Sequence, residues 1–420
     1  MTDNVLRSDS KLEKEISLKS SSRKVVLALQ HLIAMFGATV LVPMLTGLNP
    51  SIALFSAGMG TLIFHLCTKG KVPVFLGSSF AFIPVVITVN KLYNGDFSYA
   101  QGGMLVAGLI YVIVSLLIKK IGVEKIQKFL PSQVVGPMII VIGMNLIPTA
   151  FDMASNNFMV AAITLATALL VNFKGKGFFK QLAILTGVIV GYLVSYKIGI
   201  VDMSIVKESP FISLPPFNAP KFDFGAIAII APVVLAVFME HIGDITTNGQ
   251  VVGKNFIEDP GLNRTLLGDG LATIAASLIG GPANTTYGEN TGVLAITKNY
   301  DPSILRLAAV FAIALGFVSK VGAFLNTIPV PVMGGISIML FSMISLVGVQ
   351  TIKNNKVEFN TKNIIVMVTI LVFGLGSSIV EKKFGITIGI PVTKTVKISG
   401  LSFAAIVGVA LNAVLNKNEK

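Results

Sequence analysis

Long apolar runs separated by short polar, glycine-rich or lysine-bearing breaks recur from residue 25 to residue 416. A transmembrane helix needs about 20 mostly apolar residues, or about 17 at the short end. On that rule the chain divides into fourteen segments: 25–46, 51–67, 72–90, 101–119, 134–152, 158–173, 181–199, 225–244, 266–280, 286–298, 304–320, 332–349, 362–380 and 399–416. The pattern predicts an all-α polytopic membrane protein. Two segments are irregular. The third contains Pro73, Gly77, Ser78, Ser79 and Pro84, and the tenth is short and overlaps the polar stretch Gly280-Gly281-Pro282-Ala283-Asn284-Thr285-Thr286-Tyr287-Gly288-Glu289-Asn290-Thr291-Gly292. Lipid-exposed backbone must satisfy its own hydrogen bonds, so such a stretch at membrane depth is tolerable only where it is buried in protein or lines a water-filled cavity. A substrate site inside a membrane has this composition.

The two broken segments stand seven apart in a set of fourteen. Interrupted helices at corresponding positions of two halves point to a binding site at a repeat interface, and an odd number of spans per half makes the halves inverted. The predicted organisation is therefore an N-terminal tail (1–24), a first repeat of seven spans (25–199), a linker (200–224) and a second repeat of seven spans (225–416). Pro210, Pro215, Pro216 and Pro220 make the linker a semi-rigid spacer.

Charge placement supports that count. With the N-terminus inside, 24 of the 33 lysines and arginines fall on the cytoplasmic side, as topology rules require. The lysines 382–397 form the largest group left on the outer side. Both termini are thereby predicted to be cytoplasmic. Composition agrees: 53% of the 420 residues are hydrophobic and only 13% charged, against about 25% charged in soluble domains, and mean hydropathy is +0.81. The net charge of +13 does not signal nucleic acid, because the basic residues lie singly or in small groups between apolar runs. The tail has no apolar core followed by a small-residue cleavage site, so it reads as a cytoplasmic tail rather than a signal peptide. One cysteine, Cys67, leaves no internal disulfide and no multi-cysteine metal site, and reads as a small buried hydrophobe.

Ionisable residues within spans are rare, costly and usually functional. Glu240 and Asp244 lie four apart and share a helix face, whereas His241 points elsewhere. Two carboxylates one turn apart repel when both are ionised, so at least one is expected to hold a proton in a low-dielectric site. The pair is thus a candidate proton-coupling device; a solvated Asp244 at the cytoplasmic end of its span is the alternative. Glu289 follows a glycine at the start of a short helix, where free N–H groups and the positive dipole end favour an acceptor atom on a ligand. A cyclic imide or amide matches N–H donors flanked by carboxylate acceptors; simple capping of the half-helix by Glu289 and Asn290 is the competing reading. Gln30-His31 can hydrogen-bond to a neighbouring helix. Asp269 can bond backbone groups of the tenth span, and His65 reads as interfacial. No cofactor-binding motif, metal-ligand spacing, phosphate loop or nucleophile elbow is present, which argues against an enzyme.

Four places then carry a family resemblance: Gln30-His31 with Phe36-Gly37-Ala38-Thr39, Leu76-Gly77-Ser78-Ser79-Phe80-Ala81-Phe82, Glu240-His241-Ile242-Gly243, and Asn284 through Gly292 continuing to Thr297-Lys298. Together they resemble the nucleobase:cation symporters, also called nucleobase-ascorbate transporters, and within them the bacterial uracil permeases. The resemblance implies a core domain of spans 1–4 and 8–11, a gate domain of spans 5–7 and 12–14, short antiparallel strands in spans 3 and 10, a plasma-membrane location and a homodimer. It implies uracil import with protons. It further implies that Glu240 and Glu289 bind the nucleobase, that the amides of Phe80 and Gly288 donate to its carbonyls, and that Ala38, Phe80 and Tyr287 pack against its ring. Gln30, His31, Ser79, Asp269 and Asn290 would support that site, with Glu240 and Asp244 linked to the proton. At Asp244 the chain departs from the uracil permeases, which carry histidine; Asp244 and Asp269 look more like the purine-carrier pattern, so a xanthine or uric acid permease is the alternative within the family. An anion channel or exchanger of related architecture is a further alternative, disfavoured because an anion beside Glu240 and Glu289 would be repelled.

If the lysine asymmetry reports the topology, a reporter fused after Lys420 is cytoplasmic and a tag inserted near Asn218 is labelled from outside. Labelling of both from one side would contradict the fourteen-span arrangement.

Overall fold

A computed structural model describes residues 2–122, 131–391 and 397–416. Lys125, Lys128, Lys394, Lys417 and Lys420, on which part of the charge asymmetry rests, lie outside the described residues. The first helix, α1 (Thr2–Thr46), runs through the predicted tail into the first apolar segment, and α2 (Pro50–Cys67) follows with Asn49 capping its start. The third segment is broken into β1 (Leu76–Ser78), a 3-10 turn at Phe80–Phe82 and α3 (Ile83–Leu92). Next come α4 (Phe97–Ile121), α5 (Ser132–Ala154), α6 (Phe158–Lys174) and α7 (Ala183–Lys197). The second half opens with α8 (Phe224–Ile230) and α9 (Val234–Val252), joined by a 3-10 turn at Ala231–Val233 around Pro232. It continues with α10 (Leu262–Leu278), β2 (Asn284–Thr286), α11 (Gly288–Thr297), α12 (Pro302–Phe317) and α13 (Ser319–Asn326). The chain ends in α14 (Val330–Asn354), α15 (Thr361–Phe384), a hairpin of β3 (Gly389–Pro391) and β4 (Lys397–Ser399), and α16 (Gly400–Leu415).

Each predicted apolar segment coincides with one of these elements or a broken pair of them. Among the described residues seven helices are long and apolar enough to cross a membrane alone, and up to eight if α12 and α13, bent by 77° at Val318, count as one span. Four differences from the sequence expectation are found, two of them with a local cause. Segment eight is not one unbroken helix, because Pro232 has no N–H and its ring forces a tighter turn. It also extends to Val252, where Gly253 closes it in the left-handed conformation. Segment eleven stops at Phe317 and turns sharply, and the β3–β4 hairpin has no counterpart in the apolar pattern.

Packing falls into two groups. In one, α4 lies on α10 and α8, α2 on α10 and α12, and α1 on α12; in the other, α5 lies on α14 and α15, α6 on α14 and α7, and α15 on α16. Small residues bring the closest pairs together, as expected where lipid supplies no hydrophobic drive for helix association. A Cβ on Gly136 (α5) or Gly348 (α14) would sit 3.0 and 2.6 Å from the other residue's carbonyl oxygen, and Gly108 (α4) and Gly270 (α10) stand in the same reciprocal relation at 2.9 and 3.0 Å.

The linker is seated on the first group. Lys221 N–H donates to the Ser98 carbonyl at 2.9 Å, Asn218 N–H to the Ile279 carbonyl at 3.3 Å and Ser213 N–H to the Phe317 carbonyl at 3.1 Å. Lys221 also pairs with Asp96 at 2.8 Å, and that ammonium, with the Ser98 N–H, holds the Asp96 carboxyl down at about 2.

The two broken spans meet as an antiparallel pair in the register Leu76 with Thr286, Gly77 with Thr285 and Ser78 with Asn284. Ser79 N–H to the Ala283 carbonyl (2.8 Å) and Tyr287 N–H to the Phe75 carbonyl (3.0 Å) extend the ladder by one bond at each end. Gly77 is required by close approach: a Cβ there would lie 2.3 Å from the Tyr287 ring and 2.8 Å from the Thr39 hydroxyl. Gly77→Ala is expected to displace Tyr287 and destabilise the protein by about 1–3 kcal/mol, the usual cost of overpacking. Thermal melting of the purified variant checks this, and an unchanged melting temperature would contradict it.

Candidate substrate site

The site is built where the β1–β2 ladder hands over to two half-helices. Beyond Ser79 the chain turns into the Phe80 turn and α3; beyond Tyr287 it turns into α11, whose first residue is Gly288. The first N–H groups of a helix have no intrahelical partners and carry the positive end of its dipole. Helix α9 packs against α11 and β2 and brings its acidic face to the second of these ends. Thr286 Oγ1 donates to Asp244 Oδ2 at 3.1 Å, and a Cβ on Gly288 would be 3.8 Å from Asp244 Oδ1. Asp244 is therefore half-buried within α9 rather than at its end, and it is tied to the broken span. Glu240 stands one turn earlier on the same face, within electrostatic reach of Glu289 and Asp269.

Asn248, a further turn along α9, completes the attachment. Its amide donates to Thr291 Oγ1 at 3.1 Å and to the Pro73 carbonyl at 3.1 Å, clamping α9 to both broken spans. Sequence reasoning missed Asn248 and Thr286. The signal for Asn248 was present: 240, 244 and 248 form one stripe at helical spacing.

On the opposite side of the ladder, Tyr287 is buried with its hydroxyl donating to the Ser78 carbonyl at 2.9 Å, and Ser78 Oγ donates to the Thr39 carbonyl at 3.0 Å. This fixes α1, and with it the buried Ala38, against β1. Phe80 is half-buried and Ser79 is buried, its hydroxyl without a protein partner. The Gln30-His31 pair divides. Asn290 Nδ2 approaches His31 Nδ1 at 3.2 Å and donates to the His31 carbonyl at 3.1 Å, so His31 joins α1 to α11, whereas the Gln30 side-chain oxygen is buried without a protein partner. Glu289 is half-buried in the first turn of α11.

Two sequence readings are corrected. Asp269 does not bond the backbone of the tenth segment: Asp269 Oδ2 lies 2.8 Å from His241 Nδ1 on α9. Thr273, one turn along α10, makes the contact to β2 instead, donating to the Asn284 carbonyl at 2.9 Å. His65 is not interfacial; it is buried and its Nε2 lies 2.9 Å from the Val74 carbonyl, supporting the approach to β1. Among the described residues no cluster of three or more His, Cys, Asp or Glu side chains is arranged to hold a metal ion.

A family model, the Permease family of xanthine and uracil permeases, matches residues 22–383. The chain belongs to this family. It is 43% identical over 407 residues to the uracil permease of Bacillus caldolyticus, covering 93% of this chain and 91% of that protein. It is 37% identical over 402 residues to the uracil permease of Escherichia coli K12, covering 93% and 90%. It is also 36% identical over 412 residues to the putative pyrimidine permease RutG of the same organism, covering 94% and 90%. Among solved structures, SLC26A9 superposes with a TM-score of 0.69 at 11% identity, with 93% of this chain and 64% of that one covered. The transmembrane domain of the bicarbonate transporter BicA superposes at 0.61 and 12%, covering 93% and 96%. These two establish a shared fold and nothing about what is carried. Family membership and the apolar helices make the chain a multi-pass membrane transport protein.

Proposed function

We propose that this permease imports uracil together with a proton, binding it between the Phe80 turn, the acidic face of α9 and the start of α11. The observation that carries the proposal is the convergence of Glu240, Asp244 and Glu289 on the Gly288 helix end, held there by the Thr286–Asp244 bond. The names of its relatives are consistent with the substrate. Uracil offers alternating C=O and N–H groups in one plane. Backbone N–H groups at Phe80 and Gly288 match its carbonyls, Glu240 and Glu289 match its N–H groups, and Phe80, Tyr287 and Ala38 border its ring. Gln30, His31, Ser79, Asp269 and Asn290 hold these groups in place. Carboxylates this close in a low-dielectric site cannot all be ionised, which makes Glu240 and Asp244 the proton-linked pair.

The repeat organisation has support in the packing. Numbering the fourteen segments in order and adding seven turns the contact of segment 2 with 11 into that of 9 with 4, that of 1 with 11 into 8 with 4, and that of 6 with 12 into 13 with 5. It also turns 6 with 7 into 13 with 14; the pairs 2 with 9, 3 with 10 and 5 with 12 map onto themselves. Every one of these contacts is present. The pattern supports fourteen spans in two inverted repeats, with a core of spans 1–4 and 8–11 and a gate of spans 5–7 and 12–14. Between the two groups, where α1 meets α7 and α14, lies a small cavity of about 30 Å³ lined by Phe36, Leu41, Ile184, Ile328, Ile336 and other apolar residues. A seam without polar bonds at this cavity suits one group sliding past the other in alternating access. The same reading places the protein in the bacterial plasma membrane, with both termini cytoplasmic, as a homodimer.

A second reading rests on the resemblance of Asp244 and Asp269 to the purine-carrier pattern, which makes a purine base the other candidate substrate. Glu289→Gln is expected to weaken uracil binding at least tenfold, about 1.4 kcal/mol, because an amide oxygen is a weaker acceptor than a carboxylate, and to favour xanthine relative to uracil. Titration of the purified wild type and variant with both bases checks this; unchanged uracil affinity would remove Glu289 from contact with the base. Asp244→Asn is expected to keep uracil binding while uptake loses part of its dependence on external pH, because removing one charge of a coupled pair alters the titration of the other. Uptake and binding measured side by side across pH check this, and wild-type pH dependence in Asp244→Asn would contradict the coupling role.

A further inference from the structure

Beside the acidic face of α9, His241 is enclosed between α9 and α10 and is 1% exposed; Asp269 opposite it is 2% exposed. Three hydrogen bonds fix the proton count there. Thr265 Oγ1 donates to the Leu262 carbonyl at 3.0 Å. A hydroxyl has one hydrogen, so the Thr265 oxygen, 2.9 Å from His241 Nε2, is left to accept, and Nε2 carries a hydrogen. The remaining contact, His241 Nδ1 to Asp269 Oδ2 at 2.8 Å, needs one more hydrogen between the two atoms. An imidazolium with a carboxylate and an imidazole with a carboxylic acid both satisfy it, and both sum to zero charge.

We infer that His241 and Asp269 share one proton and form a neutral pair that positions the Glu240 helix against α10 without adding charge to the substrate site. The inference rests on the proposed role of Glu240 in binding substrate. The opposite arrangement, with Thr265 donating to Nε2 and Nδ1–H to a bare carboxylate, leaves a buried anion whose other oxygen has no protein partner. A lone buried charge costs several kcal/mol. The surroundings offer it no relief. The charged and titratable groups near the pair are Glu240 and Asp244 on α9, Tyr111 on α4, whose hydroxyl is buried and without a protein partner, and Arg264 on α10, which donates to the Cys67 carbonyl. Of the other elements packed on α9 and α10, α2 brings His65, which is bonded to Val74. The turn at Ile257–Gly261 brings Glu258 and Asp259, the latter paired with Lys71. Helix α5 carries only Asp152, near the end of the helix. None of these supplies a cation to Asp269. His241 and Asp269 are positioning residues in this arrangement, and Glu240 presents its charge to substrate from a neutral background.

The test compares Asp269→Asn, His241→Gln and the double variant of the full-length protein in detergent, by thermal melting at neutral pH and by the pH profile of uracil binding. In Asp269→Asn the amide donates to Nδ1 and the pair stays neutral, so the melting temperature is expected to stay near wild type and the pH profile of binding to stay in place. His241→Gln strands the carboxylate. Its melting temperature is expected to fall at neutral pH and to be restored by adding Asp269→Asn. A shifted binding profile in Asp269→Asn, a melting loss equal to that of His241→Gln, or additive losses in the double variant would overturn the neutral pair. If His241→Gln does not fold, Asp269→Asn alone decides. Absence of uracil binding by the wild type would defeat the proposed function while the melting comparison still judged the pair.

Discussion

Two spans of this permease stop part-way, and the backbone they leave exposed has to find hydrogen bonds without lipid providing any. Each unsatisfied group in hydrocarbon costs several kcal/mol, so the breaks are tolerable only together. The β1–β2 ladder is the solution: residues 75–79 and 283–287 satisfy one another, and nearly every polar side chain around them serves that ladder. Thr61 and Thr273 hydroxyls bond its edges, Asn284 reaches the Ser56 carbonyl, and Asn248 reaches the Pro73 carbonyl. Pairing the strands leaves the N-terminal ends of two half-helices free, and those ends are where a polar, hydrogen-bonding molecule can be held.

Charge is the second constraint. Glu240, Asp244, Asp269 and Glu289 are brought together within an apolar bundle, and among the described residues no lysine or arginine forms an ion pair with them. The four acids divide by position: Asp269 faces His241 on α9, Asp244 is bonded to Thr286 at the ladder, Glu240 stands one turn before Asp244, and Glu289 lies in the first turn of α11.

Much of this was legible in the sequence because hydrophobic length and helix breakers are local signals. All fourteen segments have counterparts, and Gly77-Ser78-Ser79 and Gly280 through Gly292 marked the two breaks before any strand was seen. The face shared by Glu240 and Asp244 followed from spacing alone. Apart from the breaks at Pro232 and Val318 and the β3–β4 hairpin, the misses concern partners rather than elements. Nothing local tells that His241, pointing away from its acidic neighbours, meets Asp269 28 positions on, or that the linker is fastened to Ser98, Ile279 and Phe317. These contacts come from which helices pack, and spacing along the chain does not encode that. The turn at Pro232 was visible as a proline, yet its consequence depended on neighbours that could accept a bent span.

The most direct measurement is uptake of labelled uracil by proteoliposomes holding the purified protein, with and without an inward proton gradient. Accumulation above equilibrium with the gradient, abolished when the gradient is collapsed and competed by unlabelled uracil, is the predicted result. Uptake indifferent to the gradient, or competed by xanthine and not by uracil, would contradict it.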